Sequence, residues 1–351
     1  MQYHISRSVP DLKQKLDEEL EKGNVITSQK GDLRLYCYSK QCAFDRNWNE
    51  VTIAARGIVL NSDGKIVATP FPKFFNWGER DQTWPAEPFH VYEKLDGSLI
   101  IVFWHEGEWH TATKGSFYSD QAKWAKQKLK NIEKHLVPGI TYLFEAIYKE
   151  NRIVINYDFE DLVLLGAYEA SGMEIPFLEL TWFYERRAFR CAKIVKISSF
   201  GDLMERAKAL SANEEGWVIR FYSGLRLKVK GDEYKRIHNL VSNLTPLFVW
   251  ELLKNGGDPD TIRKDLPEEF IDDFDTMINL FRKRVSDLKE EVYARHELSK
   301  HLTDKEIGLS NDDFGIIGKK GIFLLRKGKE SSLDNLLWGQ IRPKGNAIEI
   351  E

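Results

Sequence analysis

The sequence predicts an α+β body followed by a mostly helical C-terminal domain, with the division at 243/244, giving 1–243 and 244–351. Three observations carry this expectation. Runs of β-branched and aromatic residues, separated by turn signals, fill the stretch from Leu33 to Lys230. Leucines at four-residue steps flank it on the N-terminal side. After Thr245-Pro246 the strand texture ends, and one long tract repeats apolar residues at helical spacing. A length of 351 residues suits two domains better than one.

The elements follow in order. After Ser8, read as a cap, Leu12, Leu16 and Leu20 define a first helix that stops at Gly23. Strand texture then covers Leu33–Tyr38, Val51–Leu60, Ile66–Thr69, Val91–Trp104 and Trp109–Thr113, with Ser62-Asp63-Gly64 as a turn. Ser119 opens a second helix through Ala122, Ala125, Leu129, Ile132 and Leu136, ending at Pro138-Gly139. Strands return at Thr141–Tyr148, Leu162–Tyr168 and Trp217–Tyr222, the last paired with Leu225–Lys230 across Ser223-Gly224. The third and longest helix begins at Pro267 and carries Phe270, Phe274, Met277, Phe281, Val285, Leu288 and Val292 on one face.

Composition narrows the function classes. No stretch approaches the ~20 uninterrupted apolar residues of a membrane span. The N-terminus lacks the apolar core of a secretory signal. Three cysteines (Cys37, Cys42, Cys191) make neither a disulfide framework nor a zinc cluster, which points to a reducing, cytoplasmic compartment. Lys and Arg number 51 against 54 Asp and Glu, a net charge of −3, so any polyanion site must be a local patch. One such patch runs from Arg226 to Arg236, with Arg226, Lys228, Lys230, Lys235 and Arg236 against Asp232 and Glu233.

The chemistry concentrates in a few stretches. Val91-Tyr-Glu-Lys-Leu-Asp-Gly-Ser ends a strand on Lys94 and turns at Asp96-Gly97. Alone this K-x-D-G pattern is weak, expected by chance in roughly one chain in ten of this length. Glu145 lies inside the apolar run Thr141–Tyr148, and Glu215 opens the strand Gly-Trp-Val-Ile-Arg. Lys228 and Lys230 alternate on one face of theirs. A buried, unpaired charge costs several kcal/mol, so these groups are expected to pair or to face one polar cleft. His296 and His301, five apart, miss the spacing of a helical metal pair. No GxxxxGK[ST] loop is present.

In that order, Lys94-Leu-Asp-Gly, Phe144-Glu145, Glu215-Gly216 and Lys228-Val-Lys230 resemble motifs I, III, IV and V of the covalent nucleotidyltransferases, the ligases and capping enzymes. Ala55-Arg56-Gly57, Phe71-Pro-Lys73-Phe-Phe75, Thr113-Lys114-Gly115 and Tyr234 are similar to the phage-type RNA ligase 1 branch. The resemblance covers roughly residues 30 to 240 and implies an ATP-grasp-like ligase body with antiparallel sheets and flanking helices.

What the resemblance implies is an ATP-dependent RNA ligase; a monomer is expected. Lys94 would attack the α-phosphorus of ATP, for which it must be the free amine. Lys228 and Lys230 would neutralise the α-phosphate, and Arg56 and Lys73 would hold the β- and γ-phosphates. Glu145 would bind the ribose hydroxyls. Glu215, and with less support Asp96, would anchor hydrated Mg²⁺ or Mn²⁺. Lys114, Phe75 and Tyr234 would contact RNA or phosphate, although Phe75 reads equally well as core. AMP would pass to a 5′-phosphate on RNA, a nicked tRNA among the candidates, and a 3′-hydroxyl would seal the break. Two other readings stay open. A DNA ligase or capping enzyme would carry a β-rich barrel after motif V, and an inactive relative would bind RNA without forming an adenylate.

Overall fold

Successive residues of a strand point to opposite faces, and that alternation sorts the N-terminal core into layers. A computed structural model describes residues 4–343 apart from 81, 82, 188, 265, 267 and 311–314. Val25–Lys30, Leu33–Tyr38, Arg56–Leu60 and Ile66–Ala68 form one antiparallel sheet in chain order. Asp161–Glu169, Ile140–Ile147, Ser98–His105 and Glu108–Thr113 form a second, also antiparallel. Leu33, Leu35 and Cys37 face the second sheet and meet Ile101, Phe103 and Leu143. Tyr36, Ile58 and Leu60 face outward, beneath Leu12 and Leu16 of the helix Leu12–Glu21. Ile100 and Val102 point the other way, against Ala125 and Leu129 of the helix Asp120–Leu129. The second sheet is therefore covered on both faces, and the unbroken run Ile100–Phe103 is fully buried. Each fully buried leucine or isoleucine contributes about 1.5–3 kcal/mol.

A third sheet carries the chemistry. Its order is Ile194–Val195, Phe89–Glu93, Gly216–Phe221, Arg226–Lys230 and Phe75–Asn76, antiparallel except for the last pair. Val91, Ile219 and Leu227 pack with Leu203 and Ala207 of the helix Phe200–Lys208.

Three of the departures from the sequence reading are local. Val51–Leu60 is not one strand. Asn49 accepts from Thr52 N and Thr52 Oγ1 accepts from Asn49 N, each at 2.9 Å. This reciprocal cap starts a helix at Glu50–Ala54 despite its β-branched residues, and the strand begins only at Arg56. Ser8 does not cap the first helix; its hydroxyl donates to Ile5 O at 2.8 Å, and the helix starts after Pro10. Ser119 does cap the second, accepting from Ala122 N at 3.2 Å, but that helix ends at Leu129.

By internal contacts the chain divides into Met1–Lys235 and Arg236–Glu351, inside the helix Asp232–Asn243 rather than at 243/244. Among its described residues the second unit contains helices and no strand, so the β-rich barrel of the DNA ligase and capping readings is not found there. Its longest helix, Glu268–Leu298, buries Phe274, Ile278 and Phe281 against Val249 and Trp250. The predicted start at Pro267 lies outside the described residues. No helix among the described residues is long and apolar enough to cross a membrane.

Candidate active site

Strand pairing in the third sheet brings the predicted lysines and carboxylates to one end. Trp217 pairs with Glu93 and Gly216 with Lys230, and Lys94 N donates to Gly216 O at 2.9 Å. Glu215 is 3% exposed. Its Oε2 lies 2.6 Å from Lys94 Nζ and its Oε1 lies 2.9 Å from Lys230 Nζ. One buried carboxylate thus holds two ammonium groups. Glu145 enters from the second sheet, where it pairs with Leu99. A glycine is required between them: a Cβ on Gly97 would lie 2.5 Å from Ala146 O and 3.1 Å from Glu145 Cγ.

A cleft of about 800 Å³ opens beside this cluster, with Arg56, Lys94, Lys114, Glu145 and Lys228 in its wall. Seven cationic side chains line it against three carboxylates. Of those carboxylates, Glu174 is held by two guanidinium groups, receiving bonds from Arg220 at 2.9 and 3.2 Å and from Arg226. Lys228 sits with its ammonium 5.1 Å over the Phe74 ring. Burial pushes its pKa down to about 7, and the cations Arg56, Lys73, Lys94 and Lys230 add to the shift. Burial likewise raises Glu145 to about 7, helped by Glu215 and Asp96 and opposed by Lys94 and Arg56. Two oppositely charged groups in the cleft therefore titrate in the same range, the environment expected where phosphate charge is to be handled.

A stability measurement tests the Lys228 environment. Below about pH 7 both folded and unfolded chains carry the proton, and the cost of the buried charge is fully felt. That cost fades as pH rises toward the ordinary lysine value of 10.5. Lys228→Met is expected to raise the Tm of the ligand-free protein, most at low pH and by a shrinking margin above pH 7. A pH-independent change in calorimetry would place the amine in water.

Several predicted residues take other roles. Asp96 is 4% exposed, and its carboxylate accepts from Val154 N at 2.9 Å, Ile155 N at 3.0 Å and Tyr234 Oη at 2.8 Å. These bonds tie down the loop after Lys94, and Asp96 is not among the residues that line the cleft. Tyr234 is 1% exposed, and its ring is packed inside rather than presented at the surface. Phe75 is also buried; it stacks edge-on with Trp48 at 5.4 Å, and Leu227 is its strand partner. The core reading of Phe75 holds. Lys73 lies outside the wall of the large cleft and lines a neighbouring cavity of about 530 Å³, its ammonium 4.8 Å over the Phe75 ring and 4.0 Å from Glu79. Lys114 remains in the cleft, 5.4 Å over the Tyr38 ring.

The Glu174–Arg220–Arg226 cluster escaped sequence reading, since its members are up to 52 residues apart and meet only through the fold. So did a surface group of Asp32, His105 and Glu106 at two hairpin turns, where His105 Nε2 is 3.1 Å from Asp32 Oδ1. None of the three lines the cleft.

Comparison with known proteins shows the family and the fold. A protein of Autographa californica nuclear polyhedrosis virus, provisionally described as a bifunctional polynucleotide kinase/RNA ligase, is 27% identical over 282 residues, 68% of this chain and 39% of that protein. An RNA ligase of Rhodothermus phage RM378 is 26% identical over 197 residues, 43% of this chain and 44% of its own. The chain thus spans less than half the length of these two relatives. An archaeal ATP-dependent RNA ligase superposes with a TM-score of 0.50 at 15% identity, covering 80% of this chain and 83% of that one, and shares the nucleotidyltransferase fold. The sequence profile of the RNA ligase family matches residues 54–234, just over half of the chain and the span that holds the whole cluster, and the chain belongs to that family, on its RNA ligase 1 branch.

Proposed function

We propose that this protein is an ATP-dependent RNA ligase that joins 5′-phosphate and 3′-hydroxyl RNA ends. The observation that carries the proposal is the Lys94 amine, at the wall of a cleft whose cations outnumber its carboxylates and 2.6 Å from an acceptor, Glu215, within reach of its proton. Lys94 Nζ attacks the α-phosphorus of ATP, a P–N bond forms, and the P–O bond to pyrophosphate breaks. Arg56 and Lys228 face the charge that shifts onto the departing oxygens, and Lys230 shares Glu215 with Lys94. Lys73, in the neighbouring cavity, serves the outer phosphates. Glu145 receives the ribose hydroxyls, best when ionised, above about pH 7.

A divalent cation, Mg²⁺ or Mn²⁺, would neutralise the triphosphate and steady the leaving group. Glu215 has both oxygens against lysines, so a hydrated ion would reach it only by displacing Lys94 or Lys230. A 5′-phosphate oxygen of RNA then displaces Lys94 from the AMP phosphorus. Finally a 3′-hydroxyl attacks the 5′-phosphorus of the resulting AppRNA and releases AMP. Broken RNA, nicked tRNA included, is the substrate class this sequence of steps requires, and the helical C-terminal unit is the candidate for selecting it.

Incubation with α-labelled ATP and a divalent cation tests the first step, and 5′-phosphorylated RNA added afterwards tests transfer. Absence of a covalent adduct in the wild-type protein would leave an RNA-binding relative as the surviving reading.

A further inference from the structure

We infer that Phe44 is a stacking platform for a base of the RNA strand whose 5′-phosphate enters the cleft, an assignment that rests on the ligase reading above. Phe44 is 84% exposed, the highest value among the large hydrophobic side chains described. A singly exposed apolar residue needs no explanation by itself. Its placement supplies one. Phe44 belongs to the short helix Lys40–Asp45, in which Lys40, Ala43 and Phe44 stand at i, i+3 and i+4 and so share a face. Lys40 and Ala43 both line the cleft. Phe44 shares that face but does not itself line the cleft, which puts its exposed ring outside the wall, beside the opening.

The opposite side of the same helix is anchored. Cys42 is fully buried, and Ser39 Oγ accepts from Cys42 N at 3.0 Å. The aromatic side chain is thus carried on a fixed support, which lowers the entropy cost of binding. Lys40 is exposed on the shared face and Ile26, 49% exposed, also lines the cleft. A cation for the backbone beside an exposed ring for a base is the combination that holds single-stranded nucleic acid, and it tolerates any base because each has a π-face. A purely apolar partner would not use the cations that line this cleft, which favours RNA over a protein surface.

The test separates this assignment from the ligase reading. Phe44→Ala is expected to form the protein–AMP adduct at the wild-type rate while raising KM for 5′-phosphorylated single-stranded RNA in the transfer step about ten-fold, kcat staying within about two-fold. Phe44→Trp should keep the wild-type KM, and Phe44→Leu, apolar but without a π-face, should behave like Phe44→Ala. An unchanged KM in Phe44→Ala, an equal fall in adduct formation, or wild-type behaviour of Phe44→Leu would each overturn the assignment. If the wild-type protein forms no adduct at all, the ligase reading itself fails, and the two failures are told apart in one experiment.

Discussion

Lys94→Ala is expected to abolish the protein–AMP adduct, a loss of at least about 10³-fold, because among the described residues no other amine combines access to the cleft with the Glu215 contact. Lys230, the other amine on Glu215, does not line the cleft, and Lys228 does not touch Glu215. The fold should persist, since Lys94 is partly exposed and Glu215 keeps its 2.9 Å partner Lys230. Sealing of RNA supplied already adenylated should survive, because that step needs the remaining cations and not the nucleophile. Removing one of the cations that depress Lys228 should also let its pKa climb from about 7, which NMR titration can follow. Intact-mass analysis and peptide mapping decide the matter: an adduct that persists in Lys94→Ala moves the nucleophile elsewhere.

The second large effect is expected from Glu215→Gln. The substitution keeps the shape of the side chain and removes the charge that holds two ammonium groups at 2.6 and 2.9 Å. Lys94 loses both its tether and its proton acceptor, and adduct formation should fall about 10²-fold. Because the carboxylate is buried while its lysine partners reach solvent, stability should drop by about 1–3 kcal/mol. Calorimetry would register this as a Tm lower by several degrees. Lys230→Met leaves the Lys94 contact in place and is expected to lose less adduct formation than Glu215→Gln. Labelling close to wild type in Glu215→Gln would show that Lys94 is positioned by the backbone bond to Gly216 alone.

Legibility differed by the range of the interaction involved. The alternating pattern Arg226–Lys230, the lone Glu145 in an apolar strand and the Lys94 turn were readable because each is a local violation of burial rules. Phe75 and Tyr234 sit in the matching motif positions, yet their rings are buried. Motif position named them as candidates, and only packing showed that their rings are inside. Asp96 shows the same limit, because its partners Val154, Ile155 and Tyr234 lie 58 to 138 residues away. The helix Glu50–Ala54 was missed for a local reason: a reciprocal Asn–Thr cap outweighed the strand preference of Val51, Thr52 and Ile53.

By itself the sequence determined the class of body, the order of its chemical groups and the helical character of the C-terminal unit, because periodicity, turn residues and misplaced charges are written along the chain. Tertiary structure alone decided which charges touch. The double grip of Glu215 on Lys94 and Lys230, the Glu174–Arg220–Arg226 cluster and the position of Phe44 beside the cleft opening all depend on strand order and register. Coulomb energy and desolvation follow distance in space, and distance along the chain carries no information about them.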